Sequence, residues 1–253
     1  MNSKRIIFLT ILAGIIAGIF LGWILVATNT HNDAKEKYAR SNNNLITITP
    51  TPTSFPPTPI WSHAYPVHRD IYATMFWVGE KATDENDYIP NEASAWDTHW
   101  LDNFGGIDNP YTREGNYPKG FIPKQNPFYF ALPYNDFSDS GRKENATRIP
   151  WYFTEITGDY SYLKNRWIRI KHNDQICYAQ WEDVGPFEDN DIEYVFGSAK
   201  PKNERAGIDL SPALKGCLHM ATNDYVDWQF VNEAEVPEGP WKEIITTSQV
   251  NWR

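Results

Sequence analysis

The chain has 253 residues, 41 % of them apolar and 15 % aromatic, enough for one well-packed core with attachments. Its net charge of −9 at pH 7 argues against nucleic acid as a partner, since phosphate binding needs a basic face. No dinucleotide-binding glycine pattern, phosphate-cradling glycine loop or paired-cysteine zinc motif occurs, so neither a cofactor nor a metal is expected.

Lys4-Arg5 precede an uncharged stretch from Ile6 to Ala27. About twenty apolar residues span a bilayer core, and the positive flank orients the N-terminus inward. The expectation is a membrane anchor over 1–27 that is not cleaved, with the rest exported; the rival, a cleaved signal peptide, has a shorter apolar region. Residues 28–59 read as a stalk, dense in Pro and Thr from Ile48 to Pro59, which favours extended polyproline backbone over core packing. Residues 1–59 hold five basic and two acidic side chains, leaving 18 basic and 30 acidic beyond. The domain expected over 60–253 is therefore strongly acidic.

Scarce helical periodicity, many aromatics and recurrent proline turns make that domain β-rich. Trp96 and Trp100 stand four apart, so a short helix would put both on one face, either as core anchors or as an exposed platform for sugar rings. Asp97 and Asp102 flank them. The tract 137–163 reads as an exposed loop that shapes substrate access. Trp167–Lys171 alternates apolar with basic residues, Asn173-Asp174 makes a turn, and Gln175–Trp181 resumes a strand. This hairpin delivers Asp183 to a strand end, where Gly185-Pro186 stops the strand and Trp181 and Phe187 flank the carboxylate. Such a group suits a tuned acid, or simply caps the turn. Glu188–Glu193 concentrates carboxylates without the spacing of a calcium loop. Asp209 precedes Ser211-Pro212, so Asp209 or Ser211 can cap a following helix. Cys177 and Cys217 can pair outside the membrane, or remain separate buried thiols. The tail from Val236 is expected to pack back on the domain.

Four segments, in order, resemble the rare lipoprotein A-like double-psi β-barrel family, whose fold is shared with expansins and family-45 endoglucanases. They are Ala73–Glu80, Ala131–Asp136, the pair Val184-Gly185-Pro186-Phe187 with Arg205–Leu214, and Val226–Val231. The resemblance implies a six-stranded double-psi barrel with long loops over 72–231, mainly β, behind a transmembrane helix and stalk. It also implies a membrane-anchored extracellular protein acting on cell-wall or other polysaccharide, with Asp183 and Asp209 as catalytic carboxyls. Tyr129, Trp181, Phe187, Trp96 and Trp100 are the expected substrate-binding residues. The family's catalytic histidine falls at Tyr129, and the arginine after its aspartate is Val184. Both departures tell against a lytic transglycosylase, and the missing histidine favours the alternative, a non-catalytic expansin-like module that binds glycan or loosens the wall, while the retained Asp183 supports glycan cleavage. His99 and His172 are the histidines nearest the motifs.

Overall fold

The computed structural model describes residues 65–84, 86–152 and 160–249. The apolar segment 6–27 and the stalk 28–59 lie outside them; among the described residues no helix is long and apolar enough to cross a membrane.

The architecture is mainly β. Among the described residues ten strands form in chain order: β1 (His68–Met75), β2 (Arg113–Glu114), β3 (Tyr117–Pro118), β4 (Tyr129–Leu132), β5 (Phe137–Ser138), β6 (Gly141–Arg142), β7 (Trp167–His172), β8 (Gln175–Val184), β9 (Ile208–Leu210) and β10 (Asp224–Val231). Six of them close a barrel in the order β1-β10-β7-β8-β4-β9. Its β4–β8 and β1–β9 contacts are parallel, and the other four are antiparallel. Closure leaves no barrel strand with an unpaired edge, which a small β-rich domain otherwise has to protect. Among the described residues there are also three short α-helices, α1 (Trp100–Phe104), α2 (Ile192–Val195) and α3 (Pro212–Cys217), and three 3-10 turns.

The expected hairpin is β7–β8, in register from Trp167 with Gln180 to His172 with Gln175. Asn173 turns it at φ +51, a conformation that a short polar side chain tolerates. β1 begins four residues before the expected start of the barrel, because buried His68 stacks on Trp228 with centroids 3.9 Å apart. Burial lowers the His68 pKa to about 4, so the ring is neutral and packs as an aromatic. Gly207, in the segment leading to β9, has no room for a Cβ, which would lie 2.4 Å from Pro201 and 2.7 Å from Ile71.

Trp181 anchors the core, stacked between Phe130 and Phe230 at 5.9 and 5.7 Å. A second apolar cluster, with Phe76, Val78, Trp100, Phe104, Tyr129 and Ala131, lies beneath the segment between β1 and β4. The helix expected to align Trp96 with Trp100 is shorter than the spacing suggested. Ser94 and Asp97 form a turn first, and Gly105 at φ +106 ends α1 after one turn. Trp96 consequently packs edge-on to Trp181 in the main core, while Trp100 joins the second cluster.

The described residues of 137–163 also form more than an exposed loop. They contain the β5–β6 hairpin and a 3-10 turn at Glu144–Arg148, and they send Ala146, Ile149, Trp151 and Tyr162 into the core. Buried Asp136 organises it, pairing with Arg142 at 2.7 Å and accepting bonds from Ser161 and the Tyr162 amide. In the tail, Trp241 packs against Phe128 and Tyr178, and Gln180 of β8 bonds the Thr246 amide and carbonyl.

Cys177 and Cys217 form a disulfide that ties β8 to the end of α3. It closes a loop 40 residues long, so removing it with Cys177→Ala and Cys217→Ala should cost about 2–4 kcal/mol through the unfolded chain's regained freedom. Urea unfolding of the double variant and of the reduced protein should show the same loss; equal midpoints with and without the bond would refute this.

Candidate active-site groove

A groove with a cavity volume of about 280 Å³ opens on the outer face of the barrel beside β1, β4, β8 and β9. Its floor is set by register. Ala131 of β4 pairs with Asp183 of β8 on one side and Asp209 of β9 on the other, and Asp209 pairs in turn with Thr74 of β1. Residues in register on adjacent strands share a face, so both aspartates stand on Ala131's side of the sheet. Two strand spacings separate their Cα atoms, about 9–10 Å.

Asp183 reaches that face through an irregularity. Phe130 pairs with Trp181 but the next residue, Ala131, pairs with Asp183, so Glu182 is an extra residue on β8. Strict alternation would have put Asp183 on the core side with Trp181; the bulge moves it to the groove. Glu182 turns instead into a buried ion pair with Lys164.

Asp183 is 7 % exposed and lines the groove. Its Oδ1 accepts the Ala95 and Val184 amides, both at 2.8 Å, tying the strand end to the 94–97 turn, while Oδ2 takes no hydrogen bond among the described residues. Burial raises its pKa to about 7; the two amides oppose the shift and Asp209 adds to it. Asp209 is half-buried, with Oδ1 accepting the Thr74 hydroxyl proton. Burial brings it to about 6. It does not cap α3. That role belongs to Ser211, whose Oγ accepts the Leu214 amide and donates to the Pro127 carbonyl. Gly185, at φ +146, carries the chain past Asp209; a Cβ there would lie 3.8 Å from Oδ2.

A third carboxyl completes the floor. Glu80 accepts Asn91 Nδ2 at 2.8 Å and is raised to about 7, first by burial and further by Asp209. It ends the Ala73–Glu80 stretch, yet nothing in its local pattern distinguishes it from a solvated glutamate. Gly79 delivers it: at φ +77 the backbone turns under Ile107 and Leu101, where a Cβ would lie 2.9–3.0 Å from their side chains.

The walls differ from the expected set. Trp96, Trp100, Trp181 and Tyr129 are all buried and offer no ring face to a sugar. Tyr129 instead donates its hydroxyl proton to Asp108 at 2.9 Å and accepts the Val78 amide at 3.0 Å. Burial beside Asp108 holds its pKa far above the ordinary phenol value, so it cannot stand in for a histidine. Of the expected rings only Phe187 lines the groove, with the Arg205 guanidinium 3.9 Å from its centre. The other aromatic lining residues are Phe76, which is buried, and Trp77 and Tyr111, in edge contact at 6.4 Å, with Tyr111 82 % exposed. None of the described residues of 137–163 lines the groove, and neither does any described histidine. His172 bonds the Leu218 carbonyl and Asp224. Asp97 is spent on Asn103 and the His99 amide. In the acidic run, Glu193 pairs with Arg148 and Asp191 accepts the Lys202 amide, and no described cluster of His, Cys, Asp or Glu has a geometry able to hold a metal.

The raised carboxyls make stability depend on pH. A carboxyl with a folded pKa above its unfolded value of about 4 costs nothing below that value and its full penalty above the folded one. Acidification from pH 8 to 5 should therefore raise the unfolding midpoint, with most of the change between pH 7 and 5. Asp183→Asn should flatten that slope and stabilise the protein at pH 8; an unchanged slope would place its titration elsewhere.

Fold and floor together define a class: a closed six-stranded β-barrel carrying an acidic, aromatic-walled groove. No protein-family model matches the chain, and no curated protein matches it. Among solved structures it is similar to a Streptomyces papain inhibitor, at 12 % identity over 66 % of this chain and 96 % of that one, with a TM-score of 0.30.

Proposed function

We propose that this is a double-psi β-barrel protein of the rare lipoprotein A-like and expansin-like kind, which cleaves β-linked cell-wall or other polysaccharide outside the cell. In this reading the segment 6–27 anchors it in the membrane and 28–59 spaces the barrel from the bilayer. The two parallel contacts within the six-stranded barrel support the fold, and the ordered motifs support the family. The observation that carries the activity is the pair Asp183 and Asp209 on one groove floor, pushed up to about 7 and 6.

Glycoside cleavage needs a protonated carboxyl to donate to the leaving oxygen and an ionised one to act on the opposite side. Asp183, the more basic and with Oδ2 open, is the acid; Asp209, aligned by Thr74, is the base. A separation of two strands suits the wider spacing at which a water fits between them, so the product anomer should be inverted. Trp77 and Tyr111 supply ring faces for stacking on sugars, and Asn91, Asn86 and Asn223 supply amides for hydroxyls.

The test is the pH profile of reducing-end release from β-linked polysaccharides. kcat/KM should be bell-shaped, rising as Asp209 ionises near 6 and falling as Asp183 ionises near 7, with the two limbs belonging to the coupled pair. A rate that climbs steadily above pH 8 would exclude Asp183 as the acid. Tyr129 at the histidine position favours the second reading, a groove that binds glycan without cutting it. That reading requires saturable binding with no new reducing ends on any substrate.

A further inference from the structure

We propose that the groove has a subsite for a protonated amino sugar on the side of Glu80 and Asp209, so that its preferred glycan carries free amines rather than acetamido or carboxylate groups. This rests on the glycan reading above and names its substrate class.

The floor is acidic and has no cation of its own. Glu80, Asp183 and Asp209 line the groove, and none of its described lining residues is Lys or Arg. Two basic groups that touch its lining residues are engaged: Arg205 pairs with Asp87 at 2.7 Å over the Phe187 ring, and Lys215 donates to Asn223 at 3.1 Å. Asp183 Oδ2, in a residue more than nine-tenths buried, and Asp209 Oδ2 have no hydrogen-bond partner among the described residues, so acceptor capacity is left open at the floor. A uronate or lactyl carboxylate placed there would meet like charge with no counter-ion. A hexosamine ammonium would supply three donors and the missing positive charge. The aromatic walls, Trp77 and Tyr111, fit a sugar ring carrying that group better than a bare metal ion.

The amine would also sort the three carboxyls. Asp209 raises both Glu80 and Asp183. An ammonium beside Glu80 and Asp209 favours their ionised forms and leaves Asp183 the last to ionise, the protonation pattern that acid-assisted cleavage requires.

The experiment titrates the full-length chain in 0.15 M salt, following tryptophan fluorescence, with β-1,4-linked hexamers of glucosamine, N-acetylglucosamine and glucose, an oligouronate, and tetralysine as a cation without rings. The glucosamine hexamer should bind about tenfold or more tightly than the neutral hexamers, with the oligouronate weakest and tetralysine well below the hexamer. Glu80→Gln, in which the amide oxygen can still accept from Asn91, should bring the amine-to-neutral ratio to within about threefold. Neutral hexamers that bind or are cut as well as the amine hexamer would overturn the subsite while leaving the glycan groove standing. Tetralysine binding as tightly as the glucosamine hexamer would likewise overturn it, as attraction to a generally acidic surface. Absence of saturable binding to every saccharide would overturn both readings.

Discussion

Asp183→Asn should reduce glycan turnover by about 10²–10⁴-fold without unfolding the barrel, the range that a general acid contributes. The amide is nearly isosteric, and its oxygen can still accept the Ala95 and Val184 amides that now end at Oδ1. What it lacks is a transferable proton near neutral pH. Because the aspartate is destabilising when ionised in a buried position, the variant should be at least as stable as the native protein above pH 7. Loss of activity together with retained or increased stability is therefore the signature of a catalytic acid. A merely structural carboxylate would show the opposite, a fall in stability with activity tracking the folded fraction. Full activity in Asp183→Asn, on any glycan the native protein cleaves, would remove it from the mechanism.

The second large effect separates the ring that builds the barrel from the ring that faces the groove. Trp181→Ala should cost about 3–5 kcal/mol, because it empties a fully buried site among Phe130, Phe230 and Trp96. For a domain of this size that corresponds to a fall of order 10 °C in Tm. Trp77→Ala removes a half-buried ring at the groove wall and should change stability by about 1 kcal/mol or less, while weakening glycan binding about tenfold. Thermal melts and oligosaccharide titrations of the two variants should thus rank in opposite orders. Similar binding losses in the folded fractions of both would mean that the groove wall is misplaced.

Much of the scaffold was legible locally. The alternation in Trp167–Lys171, the Asn173-Asp174 turn and the resumed strand at Gln175 describe a hairpin whose partners are adjacent in sequence, so periodicity and turn chemistry suffice. Gly185-Pro186 marks the end of β8, and Ser211-Pro212 marks the start of α3, for the same reason. The disulfide was an open alternative, since Cys177 and Cys217 are 40 residues apart and only barrel closure brings their Cα atoms to 6.4 Å.

What the amino-acid sequence determined by itself was a mainly β, acidic domain, its central hairpin and one aspartate, Asp183, at the end of a strand-like run, whereas Asp209 stood out only by resemblance and as a possible cap before Ser211-Pro212. Tertiary structure alone decided which way those aspartates and the aromatics face. A period-2 pattern cannot reveal the extra residue at Glu182, because a bulge is specified by the partner strand, and without it Asp183 would point into the core. Glu80 reaches the floor through the turn at Gly79, packed under Ile107 and Leu101 from farther along the chain. Composition likewise cannot tell a buried tryptophan from an exposed one. Trp96 and Trp181 vanish into the core and Trp77 and Tyr111 stay at the surface because long-range packing, not local pattern, decides which rings the barrel can cover.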